Sequence, residues 1–276
     1  MQQVLKTMLE NVRAKSPLVH NITNYVTVND VANVLLAAGG SPIMSDDADD
    51  VEDITSICGG LNINIGTLNK NTIPSMFLAG KKANELGHIV LLDPVGAGAS
   101  RLRTDTANRL MQEVRFDAVR GNISEIKTLC TGSGSTKGVD ADAVDAVTEA
   151  NLDDGVQLVK AFAQKTGCII AVTGAIDLVS DGERCWCIRN GRAEMSRITG
   201  TGCQLSALMT AFLVANPDRK LDAAAAAVCM MGLAGEIGWA NMQPGDGNST
   251  YRDRIIDAIF NMTGDALEEG AKYELR

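Results

Sequence analysis

The chain has 276 residues, and its 25 Lys plus Arg against 34 Asp plus Glu give a formal charge of −9. With 45% hydrophobic and 21% charged residues it can build a packed core, which excludes a disordered chain. The acidic balance and the low aromatic content, 4%, argue against nucleic-acid binding, whose usual footprint is a basic patch.

Short apolar runs alternate with longer helical patterns, the signature of a parallel sheet covered by helices, in one domain over 1–276. Residues 3–15 are expected to form an amphipathic helix. HNITNYVTVND (20–30) is polar for a segment that precedes a core helix, and His20 reads as a structural histidine rather than a catalyst. In 29–38, Val31, Val34, Leu35 and Ala38 fall at helical spacing, and Gly39–Gly40 stop the helix. SPIMSDD (41–47) sets Met44 between a strand-like start and an acidic loop. Leu61, Ile63 and Ile65 alternate with Asn in a strand ending at Gly66, and a helix is expected over 71–86. IVLLDP reads as a strand buried on both faces, with Asp93 at its C-terminal end, where open α/β sheets bind ligands.

A helix over 104–114, a strand over 116–122 and a helix in NISEIKTL follow. Residues 131–142 form a polar, Gly-rich loop, then a helix covers 149–166 and a buried strand 168–174. Residues 176–195 carry two hairpin signals, Asp181–Gly182 and Asn190–Gly191, which predict a three-stranded antiparallel meander at the sheet edge. Gly200–Thr201–Gly202–Cys203 opens a helix with Leu205, Leu208, Met209, Phe212 and Leu213 on one face. Helices over 221–238 and 251–261 close the chain.

The longest uncharged stretch, 198–217, is broken by Thr, Gly, Gln and Ser and does not suit a membrane span. The N-terminus lacks the apolar core of a signal peptide. Seven cysteines at no framework spacing suggest a cytoplasmic protein with reduced thiols. No P-loop, GxGxxG or GxSxG motif is present. Cys185 and Cys187 form a CxC pair without the second pair or histidine that a zinc site needs.

Four places carry possible chemistry. At Gly200–Thr201–Gly202 the unpaired N–H groups and macrodipole of a helix start suit a phosphate. Cys203 in that first turn is expected to have a lowered thiol pKa and to act as base or nucleophile; the alternative is a small buried cysteine. Asp93, before a glycine-rich loop, either holds Mg²⁺ or a hydroxyl, or simply starts a turn. In RGNISEI, Asn122 and Glu125 have the spacing of a capping box, and a metal-water ligand is the other reading. Thr173 ends a strand on the ligand side, where it either contacts a phosphate or turns the chain.

PLVHNITNYVTVNDVANVLLAAGGSPIMSDD, INIGTL, LLDPVGAGAS, RGNISEI, VTGAIDLVSDG and ITGTGC, in that order, resemble the hydroxyethylthiazole kinase family. The resemblance covers most of residues 16–205 and implies a ribokinase-like three-layer α/β fold, a mostly parallel sheet with helices on both faces. It implies transfer of the ATP γ-phosphoryl group to 4-methyl-5-(2-hydroxyethyl)thiazole with Mg²⁺, in a homotrimer whose thiazole sites lie between subunits. It assigns Met44, Asn24, Val26 and Gly200 to the thiazole, and Gly200–Thr201–Gly202 to an anion hole. Arg120, Thr173 and Asn122 fall on the ATP side, and Asp93 and Glu125 on Mg²⁺ and its waters. Cys203 stands where the wider superfamily has the Asp of a GxGD motif. The rivals are a pyrimidine or sugar kinase, an ATP-dependent NAD(P)HX dehydratase, a non-catalytic nucleotide-binding protein, and a cysteine hydrolase that would need a histidine beside Cys203.

Overall fold

A computed structural model describes residues 3–132 and 146–276. The predicted loop therefore lies outside the described residues from 133 onward; Thr131 ends a helix and Gly132 caps it in the left-handed region.

The chain runs α1 (Val4–Lys15), β1 (Leu18–Ile22), α2 (Val28–Ala38), β2 (Ser41–Met44), α3 (Val51–Ile57), β3 (Gly60–Asn64), α4 (Thr72–Leu86) and β4 (Ile89–Asp93). It continues through α5 (Arg101–Glu113), β5 (Ala118–Asn122), α6 (Ile123–Thr131), α7 (Leu152–Thr166), β6 (Ile169–Thr173), β7 (Asp177–Ser180) and β8 (Cys185–Ile188). After a short 3₁₀ turn come α8 (Thr201–Ala215), α9 (Lys220–Ala240), α10 (Asn248–Asn261), α11 (Gly264–Gly270) and β9 (Tyr273–Leu275).

Among the described residues these strands form one sheet in the order β2-β1-β3-β4-β5-β6-β7-β8-β9. Pairing is parallel from β2 to β6 and antiparallel from β6 to β9. One helical layer, with α1, α8, α9 and α10, packs Phe212, Met230 and Tyr251 into the core on one face. The other layer packs Phe77, Leu110, Val159 and Phe162 from α4, α5 and α7 against the opposite face. This is the expected three-layer α/β architecture. The apolar segment Pro217–Ala240 has the length and composition of a membrane span, but 78% of its window is buried inside the protein, as in a core helix.

Four elements depart from expectation. The polar HNI segment is an interior strand, β1, next to the edge, whose His20 and Asn21 are buried and bonded to other polar groups. α3 and α11 are short helices that the sequence pattern did not announce. The edge meander holds, but its third strand is the C-terminal β9. The Asn190–Gly191 turn does not double back as a hairpin: Glu236 accepts from the Gly191 N–H at 2.9 Å and Asn190 bonds Gly270 and Lys272, so the chain passes into the 3₁₀ turn.

The chain leaves β1 toward β2 on one side and returns to β3 on the other. Open α/β sheets bind ligands at such a switch point, beyond the carboxyl ends of the strands. Asn24, Asn64 and Asp93 all stand there.

Candidate active site

The site grows from two neighbouring strand ends. Asn64 and Asp93 are register partners on β3 and β4, and both are buried. Cross-strand partners lie close enough for their side chains to interact. Asn64 Nδ2 donates to Asp93 Oδ2 at 2.8 Å, and Ser206 Oγ on α8 donates to the same oxygen at 2.8 Å. A third donor, Arg120 on β5, stands 3.5 Å from it. Burial pushes the Asp93 carboxyl up, while Arg120, Ser206 and Asn64 oppose that shift. Asp93 Oδ1 is buried and has no partner among the described residues.

Asn64 is fixed from its other end. Its Oδ1 accepts from the Gly66 N–H at 2.9 Å and from Asn24 Nδ2 at 3.1 Å. Asn24 Nδ2 also donates to Cys203 Sγ at 3.1 Å, and Thr27 Oγ1 donates to Asn24 Oδ1. One chain of hydrogen bonds thus joins the Cys203 sulfur to the Asp93 carboxylate.

Cys203 sits in the first turn of α8, whose N-cap is Gly200 with φ +90° and no side-chain cap. Thr201 and Gly202 are the next two residues, so the helix start is left to backbone N–H groups. A Cβ on Gly200 would lie 2.4 Å from Thr27 Cγ2, and one on Gly202 would lie 2.6 Å from Arg120 Nη1. Only glycines let α2 and the guanidinium approach this turn so closely. The lowered thiol pKa expected at a helix start is not found. Burial and the Asp93 charge push the Cys203 thiol up, with Thr27, Arg120 and Asn24 opposing.

Arg120 Nη2 donates to Thr173 Oγ1 at 2.6 Å, linking the ends of β5 and β6. Asn122 caps α6 in a full capping box with Glu125, so the structural reading of that motif holds. Glu125 is nevertheless part of the site. Its Oε1 accepts from the Gly96 N–H at 2.8 Å and its Oε2 from the Asn122 N–H at 2.7 Å. Burial, then the charge of Asp93, pushes its carboxyl up to about 7. Met44 ends β2 and packs against the apolar cluster that holds Cys203, Val31 and Leu35. Val26 is 57% exposed and stands outside this network.

Sequence reasoning passed over Asn64, Ser206, Thr27 and Arg103. Arg103 donates to the carbonyls of Val95, Gly66 and Ile65, tying together the loops after β3 and β4. The available signals were the Asn residues alternating within an apolar strand and a serine one turn after Cys203. No histidine serves Cys203: both ring nitrogens of His20 are taken up by Thr55 and Ser45, and His88 precedes β4, at the opposite end of that strand from Asp93. That removes the cysteine-hydrolase reading.

Residues 9–265 match the model of the hydroxyethylthiazole kinase family. The chain belongs to that family. It is 58% identical over 271 residues to the hydroxyethylthiazole kinase of Clostridium acetobutylicum, covering 98% of this chain and 99% of the relative. It is 49% identical to the one from Ruminiclostridium cellulolyticum, covering 96% and 95%. The solved hydroxyethylthiazole kinase of Pyrococcus horikoshii superposes over 100% of both chains with TM-score 0.88 at 32% identity. A pyridoxal kinase of Staphylococcus aureus in complex with AMP-PCP and pyridoxal shares the fold alone, with TM-score 0.61 at 14% identity over 94% of this chain and 98% of that one.

Proposed function

We propose that this kinase transfers the γ-phosphoryl group of ATP to the hydroxyethyl oxygen of 4-methyl-5-(2-hydroxyethyl)thiazole, giving the thiazole phosphate and ADP. The observation that carries this reading is the placement of Cys203 between a glycine helix start and an amide that donates to its sulfur.

Phosphoryl transfer depends chiefly on positioning and charge stabilisation. The N–H groups at the start of α8 stabilise negative charge on the transferring group. Arg120, held by Thr173 and beside Gly202, adds a fixed positive charge on the ATP side, near Asn122. Met44 and Asn24 border the thiazole pocket, with Gly200 beneath the hydroxyl. Cys203 guides the hydroxyl proton rather than taking it: its thiol is pushed up and stays neutral, so its sulfur orients the hydroxyl while the proton leaves to an oxygen of the transferred phosphoryl group.

The residues present fit a divalent cation. Asp93 Oδ1 is an orphaned buried oxygen, and the Asp93 charge raises the cost of ionising Glu125, which a cation offsets. Among the described residues no cluster of three ligating side chains forms, so the protein would supply these two carboxylates, with nucleotide phosphates and water completing the shell, as Mg²⁺ sites in kinases do. Bound there, Mg²⁺ would neutralise charge on the phosphates.

The same reading makes the protein a cytoplasmic homotrimer with thiazole sites between subunits. Its support is the exposed apolar pair Tyr25 (77%) and Val26 (57%) in the turn after β1, the strand next to the edge strand β2. All seven cysteines are unpaired, in keeping with a reducing compartment.

The test is ADP release with hydroxyethylthiazole, run beside hydroxymethylpyrimidine, pyridoxal and simple sugars. Preference for the thiazole supports the reading. A better turnover of another alcohol, or none above background, refutes it.

A further inference from the structure

Among the described residues β2 is the edge strand on this side of the sheet, with β1 as its one strand neighbour. Its last register pair is Met44 with Asn21. Beyond that the strand ladder ends, yet Met44 must hold its place against the Cys203 cluster. An edge strand with one neighbour frays at its end unless something else ties it.

The tie comes from His20, fully buried in β1 and in register with Ile43. Its Nε2 lies 2.9 Å from the Ser45 carbonyl, the residue after Met44. A carbonyl has no proton to give, so Nε2 carries the hydrogen and donates. Nδ1 is then an acceptor and takes the Thr55 Oγ1 hydrogen at 2.9 Å. Thr55, in α3, is itself buried, so the ring is anchored on the side away from Ser45 as well. Ser45 Oγ then donates to Asp50, which closes the loop back onto the start of α3.

We propose that His20 is a positioning residue for the thiazole pocket: its Nε2–H fixes the Ser45 carbonyl and thereby the place of Met44. This rests on the reading of Met44 as a thiazole contact. His20 touches neither the substrate nor the reacting atoms.

The test is steady-state kinetics of the full-length enzyme carrying His20→Gln, His20→Asn or Met44→Ala. Gln places its amide near ring Nε2 and keeps the donor to Ser45; Asn places its amide near Nδ1 and loses it. The expected result is a rise of about tenfold in KM for hydroxyethylthiazole with His20→Asn, the scale of one lost buried hydrogen bond. KM for ATP and kcat stay within about twofold, and His20→Gln stays close to the parent enzyme. An unchanged thiazole KM in His20→Asn, with a raised one in Met44→Ala, overturns the positioning role. A matching loss in kcat or in ATP KM also overturns it, as a general structural effect. An unchanged thiazole KM in Met44→Ala overturns the reading of Met44 and the proposal with it. If His20→Asn does not fold, Thr55→Val reads the same link. It leaves Nδ1 without its donor, so the ring keeps only one of its two anchors and holds Ser45 less firmly; the thiazole KM rises, and no rise overturns the proposal.

Discussion

Asn24 Nδ2 donates to the sulfur of Cys203 at 3.1 Å, and the orientation of that amide is fixed from the far end of the network. The Asp93 carboxylate can only accept, so Asn64 must present Nδ2 to it and Oδ1 to Asn24. Asn24 must then present Nδ2 both to Asn64 and to Cys203, and Thr27 donates to the oxygen left over. The sulfur is therefore held as a hydrogen-bond acceptor, which fixes its place beside the helix start.

Cys203→Ala removes this acceptor and leaves the anion-binding turn intact. A group positioned at a proton transfer contributes roughly 10²–10⁴ in rate. The expected outcome is a fall in kcat of about 10²-fold, the lower end, because a loose transition state asks little of a base. KM for ATP stays unchanged. Full kcat in Cys203→Ala would remove the proton role from this residue.

Gly200→Ala tests the turn itself. The residue sits at φ +90°, where a side chain costs about 1–2 kcal/mol, and its Cβ would meet Thr27 Cγ2 at 2.4 Å. Overpacking of that kind adds about 1–3 kcal/mol. We expect a lowered Tm and a loss of kcat. Thr27→Ser removes the clashing methyl, so the double variant regains part of the Tm but keeps the backbone strain. Additive effects in this double-mutant cycle would show that Thr27 is not what confines the turn.

Much of this was legible in the sequence because it is local. The run IVLLD, the capping box at Asn122 and Glu125, and the glycine start of α8 each announce themselves within a few residues. β1 does not, since its buried His20 and Asn21 are polar and are satisfied by partners 25–41 residues away. β9 likewise depends on pairing with β8, far back in the chain. The direction of the Cys203 shift was missed for a related reason. The helix start is visible in the sequence, but the burial and the Asp93 charge that outweigh it exist only after β4 and α8 meet.

Glu125 gives the pH prediction. Its carboxyl titrates near 7 in the fold against an ordinary value of 4.5, because burial and Asp93 disfavour its charge. A group raised on folding contributes stability that is complete below its unfolded pKa and is lost as pH rises through its folded one. Between about pH 4.5 and 7, then, the ligand-free protein loses stability through Glu125. Glu125→Gln cannot ionise, and its amide faces one of the N–H groups of Gly96 and Asn122 with a second donor, a penalty that does not vary with pH. The Tm gap between parent and variant is therefore widest near pH 5 and narrows toward pH 8. Mg²⁺ with a non-hydrolysable ATP analogue favours the ionised carboxylate, so it raises the parent Tm more at pH 8 than at pH 5, and more than it raises that of the variant. Calorimetric melts of both proteins across that range, with and without the ligand, decide the point; parallel curves would show that Glu125 neither titrates in this window nor meets the cation.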